Sequence, residues 1–242
     1  MTVLLALDTS TETMALALIS PAGLFTHEGE SGAKSSAHMV PELMKLLAAA
    51  GLRLADVDAI AFGQGPGAFT GLRTACAVAQ GLAFGAGKPV LPLDSLMLVA
   101  EDAAAQLGGD ATALGTVWVA MDARMQEIYA AGYRWQGDHW QAVAAPGLYG
   151  PEALLQCWRD QPPAVIAGSA LLAFAGTLDT QGARLLPGCA ARAQSLARLA
   201  LQQWALGLAV DPALALPVYV RDKVAHTTAE REAQRSAQGA AP

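Results

Sequence analysis

Residues 63–73 read Gly63-Gln-Gly-Pro-Gly-Ala-Phe-Thr-Gly-Leu-Arg73 and directly follow the short apolar run Ala59–Phe62. Glycine loses more conformational entropy on folding than any other residue, so this density of glycine indicates a shaped loop. We predict a strand over Ala59–Phe62, then the loop, then a helix over Gly71–Phe84. Thr70 is the predicted N-cap, because its hydroxyl can accept a hydrogen bond from a free N–H of the first turn. The helix is expected to stop near Gly87.

The predicted helix is unusual because no charged residue lies between Arg73 and Lys88. A helix on a protein surface normally carries a polar face. Small residues, which permit another backbone to approach closely, recur at helical spacing; one row is Gly71, Ala75, Val78, Leu82 and Gly85. Two interpretations are open. The helix is buried inside its own domain, or one face contacts its own sheet and the other contacts a partner protein.

The composition limits the class of protein. The chain has 242 residues, 53 % hydrophobic and 15 % charged, which suits one large domain or two small ones. Its net charge is −6, whereas a protein that holds nucleic acid alone needs a basic face. No apolar run is long enough to cross a bilayer, and the N-terminus lacks the basic start of a signal peptide. Three widely spaced cysteines indicate reduced thiols, so we expect a cytoplasmic protein.

The N-terminal segment is typical of a three-stranded meander, with a polar tip, Asp8-Thr-Ser-Thr-Glu12, after the first strand. Hydroxyls and backbone N–H groups there could hold a phosphate, but the same residue types commonly cap turns. The glycine loop does not match the dinucleotide pattern, because its glycine pairs lead to Ala68 and Thr70. Lys88 does not complete a Walker pattern, because proline follows it.

A helix predicted over Ala37–Ala50 carries His38 and Glu42, four residues apart. This spacing could supply two metal ligands, but a catalytic zinc needs three, and the other histidines are not clustered. The alternative is a solvated pair worth ~0.2–0.5 kcal/mol. We expect no metal site.

The chain contains an internal repeat. The strand and aspartate of Leu4–Asp8 recur in Trp118–Asp122, and Ala59–Gly63 recurs in Ala164–Gly168 with a second helix predicted behind it. Two similar α/β halves are therefore predicted. The predicted organisation is a first lobe over 1–105, a linker over 106–113, a second and degraded lobe over 114–221 whose helix over 192–208 returns to the first lobe, and a disordered tail over 222–242.

Four motifs resemble the TsaB family, formerly called YeaZ. They are Leu5–Glu12, Gly63–Arg73 with Ala79–Leu82, Met121–Glu127 and Pro217–Arg221, and they spread over roughly residues 2–221. The resemblance implies an α/β fold, the duplicated actin-like (ASKHA, ribonuclease H-like) fold, with a mixed sheet and helices in each lobe. It also implies a noncatalytic scaffold that works with TsaD and the ATPase TsaE. Together these place threonylcarbamoyl on N6 of adenosine 37 in tRNAs that read ANN codons (t6A biosynthesis).

The resemblance assigns the chemistry to the partners. TsaD catalyses the transfer, ATP and a metal belong to TsaD and TsaE, and tRNA is reached only through the complex. TsaD-type members carry two metal-binding histidines at the spacing where this chain has His38 and Glu42. The phosphate loop of actin-like ATPases carries Asp-x-Gly, whereas Asp8-Thr9-Ser10 lacks that glycine. The resemblance therefore implies no bound cofactor, no metal and no membrane.

The glycine loop and its helix match the segment through which the family dimerises. The resemblance implies that this segment binds TsaD, and a second copy in a homodimer, through Phe69, Thr70, Gly71, Leu72, Arg73, Ala75, Val78 and Leu82. Two other functions stay open. Asp8 and the glycine loop could belong to an ATP-dependent ASKHA enzyme or glycoprotease-like hydrolase acting alone. Direct tRNA binding by this chain is disfavoured by its acidic balance.

Overall fold

The computed structural model describes residues 2–31, 35–180 and 182–221 of the chain. Two five-stranded sheets with covering helices make up these ranges. The tail over 222–242, predicted to be disordered, lies outside the described residues. Among the helices in these ranges, none combines the length and hydropathy needed to cross a membrane.

The first sheet has the strand order β3-β2-β1-β4-β5. Its strands are β1 (Leu4–Asp8), β2 (Thr13–Ser20), β3 (Gly23–Glu30), β4 (Ala59–Gly65) and β5 (Val90–Asp94). The first three form an antiparallel meander, and β4 and β5 run parallel to β1. The helices that accompany this sheet are α1 (Ser35–Ala49), α2 (Phe69–Ala86) and α3 (Ser95–Gln106), with a short 3-10 turn at Leu54–Asp56.

The second sheet has the order β10-β9-β6-β7-β8. Its strands are β6 (Thr116–Asp122), β7 (Ile128–Gln136), β8 (His139–Tyr149), β9 (Val165–Ala167) and β10 (Arg184–Leu186). The remaining helices are α4 (Pro151–Asp160), α5 (Ala170–Ala173) and α6 (Ala193–Ala205), with 3-10 turns at Ala111–Ala113 and Pro212–Leu214. The helix predicted after β9 is therefore only four residues long.

The two sheets repeat one topology, as the sequence predicts. In each half an antiparallel meander comes first, and two further strands then add in parallel to the other edge of its first strand. The predicted fold class, a duplicated α/β actin-like fold, is confirmed.

Both faces of the first sheet are buried, and β1 shows how one strand serves two cores. Leu5 and Leu7 belong to the core beneath α1 and α2, whereas Leu4 and Ala6 belong to the core on the opposite face. Alternate residues of a strand point to opposite sides, so the four apolar residues of β1 fill both cores. Each fully buried leucine contributes roughly 1.5–3 kcal/mol.

The helices α3 and α6 contribute to the apolar core that joins the lobes. All ten residues from Ser95 to Ala104 are buried, because α3 contacts strands of both sheets. The helix α6 packs against α3 and against β1, β2 and β5 of the first sheet. One apolar core thus joins the two halves.

The helix α2 begins earlier than the sequence suggests. Its N-cap is Ala68, whose carbonyl accepts the first helical hydrogen bond from the N–H of Leu72 at 2.9 Å. The predicted N-cap role of Thr70 is wrong, because Thr70 already lies inside the first turn and its carbonyl accepts a bond from Thr74. The other end is as expected: Gly87 closes the helix at φ 65°, a left-handed conformation that glycine adopts readily.

Candidate functional site

The glycine loop packs directly on the polar tip that follows β1. A side chain at Gly63 would collide with the carboxylate of Asp8, and one at Gly71 would collide with the backbone of Thr9. Gly67 has the same relationship to Ser10. The N–H of Ala68 also donates to the carbonyl of Ser10 at 2.7 Å. These glycines are therefore required by close packing between two segments of the chain.

The carboxylate of Asp8 is fully buried beneath this loop. It accepts hydrogen bonds from the Ser10 hydroxyl at 2.7 Å, the Ser10 N–H at 3.0 Å and the Ser95 hydroxyl at 3.0 Å. Burial raises the pKa of Asp8, and these hydrogen bonds oppose that rise. The geometry favours the turn-capping interpretation of the polar tip, because the Ser10 hydroxyl and N–H, which could donate to a phosphate, donate to Asp8 instead.

A cleft of about 920 Å³ lies between the two lobes. Its walls are mostly apolar. Its lining includes Glu12 and Phe69 from the first lobe, Asp122 and Arg124 from the second, and Tyr219 and Arg221 from the C-terminal segment. Asp8, the aspartate singled out in the sequence, does not line the cleft, because it is buried beneath the glycine loop.

One ion pair crosses the mouth of this cleft. Arg124, in the turn between β6 and β7, pairs with Glu12 of the first lobe and with Asp122 of its own strand. Arg124 and the next two residues, Met125 and Gln126, have φ values of 62°, 56° and 62°. Three successive non-glycine residues in this region are uncommon and carry strain, so surrounding contacts must hold the turn in place.

Two of the predicted interface residues on α2 are buried within the chain. Leu72 is 1 % exposed and Ala75 is 0 % exposed, and both pack inside the chain. Ala75 belongs to the core beneath α1 and α2, whereas Leu72 packs near Gly65 and lines the cleft, and contact of either residue with a partner stays a prediction. Val78 and Leu82 are half-buried against the same core. Phe69 and Gly71 are also half-buried, which leaves Thr70 and Arg73 as the exposed members of the predicted set.

A second flank of α2 is covered by the C-terminal segment. The amide of Gln80 donates to the carbonyls of Pro212 and Ala215, at 2.9 and 3.1 Å. The thiol of Cys76 donates to the same Ala215 carbonyl at 3.4 Å. The uncharged helix is thus enclosed by its own chain on two sides, and contact of its remaining side with a partner stays a prediction.

The remaining side of α2 is open and nearly smooth. We name it the α2 stripe and define it as Thr70, Arg73, Ala77, Gly81, Phe84 and Gly85, all of which are exposed. Phe84 is 60 % exposed, and a side chain at Gly81 or Gly85 would meet open space. Ala77, Gly81 and Phe84 are absent from the predicted interface set, although their spacing from Thr70 and Arg73 is the helical signal that could have placed them in it.

The possible metal pair of α1 forms other contacts. Glu42 binds Lys45 at 2.7 Å and lies 3.8 Å from His27, and the hydrogen bond from Lys45 is the main reason that its pKa is lowered. The part of the chain that the structure describes contains no group of three or more histidine, cysteine or acidic side chains placed to hold a metal. Glu42 therefore acts as a surface ion-pair partner.

Comparisons with known proteins agree on one relationship. A family model described as TsaD, tRNA N6-adenosine threonylcarbamoyltransferase, matches residues 30–181, a range that includes the glycine loop and α2. The "tRNA threonylcarbamoyladenosine biosynthesis protein TsaB" of Escherichia coli K12 is 32 % identical over 231 residues, covering 92 % of this chain and 96 % of that protein. The protein of the same name from Haemophilus influenzae is 45 % identical over 127 residues, 52 % of this chain and 51 % of that protein.

A solved structure supports the same relationship. "YeaZ from Pseudomonas aeruginosa" superimposes with a TM-score of 0.80 at 35 % identity, and the match covers 90 % of this chain and 100 % of that one. A second solved structure from the same organism, described as an uncharacterized protein with similarity to peptidase YEAZ, gives a TM-score of 0.82 at 35 % identity, over 91 % of this chain and 100 % of that one. The similarity thus extends over both lobes and the cleft.

Proposed function

The chain belongs to the TsaB family, and we propose that it acts as a noncatalytic scaffold subunit in the biosynthesis of N6-threonylcarbamoyladenosine (t6A) in tRNA. In this proposal TsaD transfers the threonylcarbamoyl group, TsaE is the associated ATPase, and the target is adenosine 37 of tRNAs that read ANN codons. This chain contributes no cofactor or metal. It meets tRNA only as part of the complex, and alone it pairs with a second copy through the surface that binds TsaD.

The observation that carries the proposal is the α2 stripe. It is a helix face without charge from Ala77 to Gly85, it presents an aromatic side chain at Phe84, and its glycines allow another backbone to approach. Such a face on a folded domain marks an interaction site. An interface of ordinary size hides about 800 Å² per partner. An apolar centre of roughly 300 Å² at ~25 cal/mol/Å² would supply on the order of 7 kcal/mol before association entropy is subtracted.

Two features support a subunit without its own catalytic chemistry. The buried Asp8 carboxylate is hydrogen-bonded to Ser10 and Ser95 beneath the packed glycine loop. The α1 position where TsaD-type members have a second metal-binding histidine is Glu42, which is paired with Lys45. Both positions that would carry chemistry in an active relative serve structural contacts here.

A reconstitution in which one component is omitted tests the proposal. Cognate TsaD, TsaE, tRNA, ATP and the enzyme that supplies threonylcarbamoyl-adenylate are incubated with and without this chain, and t6A is measured by mass spectrometry of the nucleosides. We expect t6A only when TsaD and this chain are both present, and none from this chain without TsaD. Equal t6A formation in its absence would contradict the subunit role, and t6A formed without TsaD would contradict the noncatalytic role.

A further inference from the structure

The segment Ala215–Arg221, which we call the strap, runs from the flank of α2 to the other lobe. Its beginning is fixed to α2, because the Ala215 carbonyl accepts from Cys76 and Gln80. Its middle is fixed to the glycine loop, because the Val218 N–H donates to the Gln64 carbonyl at 2.7 Å. The strap therefore links α2, the helix proposed to bind a partner, with the residues that the far end of the strap contacts.

Tyr219 connects the strap to the first turn of the α2 stripe. Its ring lies 5.0 Å from the ring of Phe69, and its hydroxyl accepts a hydrogen bond from Nε of Arg73 at 3.0 Å. The Arg73 guanidinium in turn lies 3.9 Å from the centre of the Phe69 ring. An exposed arginine is normally free to adopt many rotamers, so these contacts hold Arg73 in one orientation on the stripe.

Arg221 connects the strap to the second lobe. Its guanidinium donates to the Ala123 carbonyl at 2.9 Å and pairs with Glu127 at 2.7 Å. It also reaches the sulfur of Met125 at 3.1 Å. The Arg221 side chain is only 14 % exposed, so this ion pair is better shielded from solvent than an ordinary surface pair.

Arg221 contacts the strained turn between β6 and β7. Ala123 and Glu127 flank Arg124, Met125 and Gln126, the three residues with left-handed φ values. A turn of this kind persists only where neighbouring contacts determine it, and Arg221 binds both of its ends. The same turn contacts Glu12 across the cleft through Arg124.

We propose that Arg221 is a positioning residue for the partner surface, and this rests on the proposed function. Arg221 anchors the strap to the β6–β7 turn, the anchored strap holds Tyr219, and Tyr219 holds Arg73 in the orientation that TsaD meets. Arg221 does not contact the partner in this scheme. Its effect on binding passes through Tyr219 and Arg73, so the affinity for TsaD depends on how the strap is attached to the second lobe.

A double-mutant cycle measures this path. The affinity of the full chain for TsaD is determined for Arg221→Ala, Arg73→Ala and the double variant, with Arg159→Ala on α4 as a matched surface control. We expect Arg221→Ala to weaken binding about 10-fold, Arg221→Lys to restore it to within about 3-fold of wild type, and Arg159→Ala to change nothing. In the Arg73→Ala background, Arg221→Ala should have less than about a 2-fold further effect. The proposal is overturned if the effects of the two substitutions multiply in the double variant, or if Arg221→Ala alone has no effect on the affinity.

A measurement on the isolated chain separates this proposal from the proposed function. Amide hydrogen exchange should be faster in Arg221→Ala than in the Arg159→Ala control at Val218, Tyr219 and the residues around Phe69. If wild type fails to bind TsaD, the proposed function is wrong, and exchange still tests the strap. Unchanged exchange at Val218 and Tyr219 shows that other contacts hold the strap and overturns the role of Arg221.

Discussion

The hydroxyl of Tyr133, on β7 of the second lobe, donates a hydrogen bond to the carboxylate of Asp94 in the first lobe at 2.6 Å. The same carboxylate caps α3, because its other oxygen accepts from the N–H groups of Leu96 and Met97 at 2.9 and 3.3 Å. One side chain therefore terminates β5, starts the central helix and joins the lobes.

Removing the donor should weaken this junction. Tyr133 is fully buried. In Tyr133→Phe the buried carboxylate loses a partner, so we expect the free energy of unfolding to fall by about 1–3 kcal/mol, measured by urea denaturation. Tyr149→Phe, at a half-buried tyrosine of the same sheet, is the control and should change it by less than about 0.5 kcal/mol. Equal effects of the two substitutions would contradict a special role for the Tyr133–Asp94 bond.

The Asp94 carboxyl should also make stability depend on pH. Burial raises its pKa from 3.8 to about 6. The folded chain therefore holds a proton that the unfolded chain releases between pH 4 and pH 6, so stability falls as pH rises through that window. Asp94→Asn keeps a cap and an acceptor but cannot titrate. Between pH 4 and pH 6 the unfolding free energy of Asp94→Asn should therefore fall by up to about 3 kcal/mol less than that of the wild type.

The control for this pH series is Asp211→Asn, an exposed aspartate whose carboxylate also accepts from a backbone N–H two residues on. It should leave the pH dependence as in wild type. The same slope in Asp94→Asn and wild type between pH 4 and pH 6 would contradict the raised pKa of Asp94.

Two glycine substitutions should have opposite effects on stability. Gly63→Ala places a methyl group against the Asp8 carboxylate and the Ser95 hydroxyl, so we expect a loss of about 3 kcal/mol or more. Gly81→Ala places it in open space on a helix, which should stabilise the chain by about 0.5–1 kcal/mol. Thermal melting of both variants checks this pair, and a harmless Gly63→Ala would refute the packing of the glycine loop on Asp8.

The isolated chain should not bind ATP with magnesium. The Asp8 carboxylate, the group that could ligate a nucleotide-bound magnesium ion, is buried and accepts hydrogen bonds from Ser10 and Ser95, and the cleft is mostly apolar. Isothermal titration of the chain with ATP and Mg²⁺ should give no heat of binding at micromolar protein, with cognate TsaE as the positive control. Micromolar affinity with release of phosphate would favour the alternative of an ATP-dependent enzyme that acts alone.

Much of the architecture could be predicted from the sequence because its signals are local. The strand before the glycine loop, the end of α2 at Gly87 and the repeat of Leu4–Asp8 in Trp118–Asp122 each depend on a few neighbouring residues. The start of α2 was predicted too late, since Thr70 has the chemistry of a cap but the backbone has already turned at Ala68.

The exposed face of α2 could not be predicted because it depends on distant residues. Ala75 and Ala77 have the same side chain, yet the core covers the first and leaves the second open. The flank at Cys76 and Gln80 is closed by Ala215, about 140 residues away in sequence. Helical periodicity identifies which residues share a face but not which face is covered.

The most direct test of the central claim is the affinity of Ala77→Arg for TsaD, compared with Ala153→Arg, an exposed alanine on α4 of the other lobe. Both substitutions add the same side chain to an exposed helix position and should leave the melting temperature unchanged. If the α2 stripe binds TsaD, Ala77→Arg should weaken the complex by at least about 30-fold, because a charge is placed in the centre of an apolar contact, while Ala153→Arg binds like wild type. Wild-type affinity of Ala77→Arg would show that TsaD binds elsewhere on the chain.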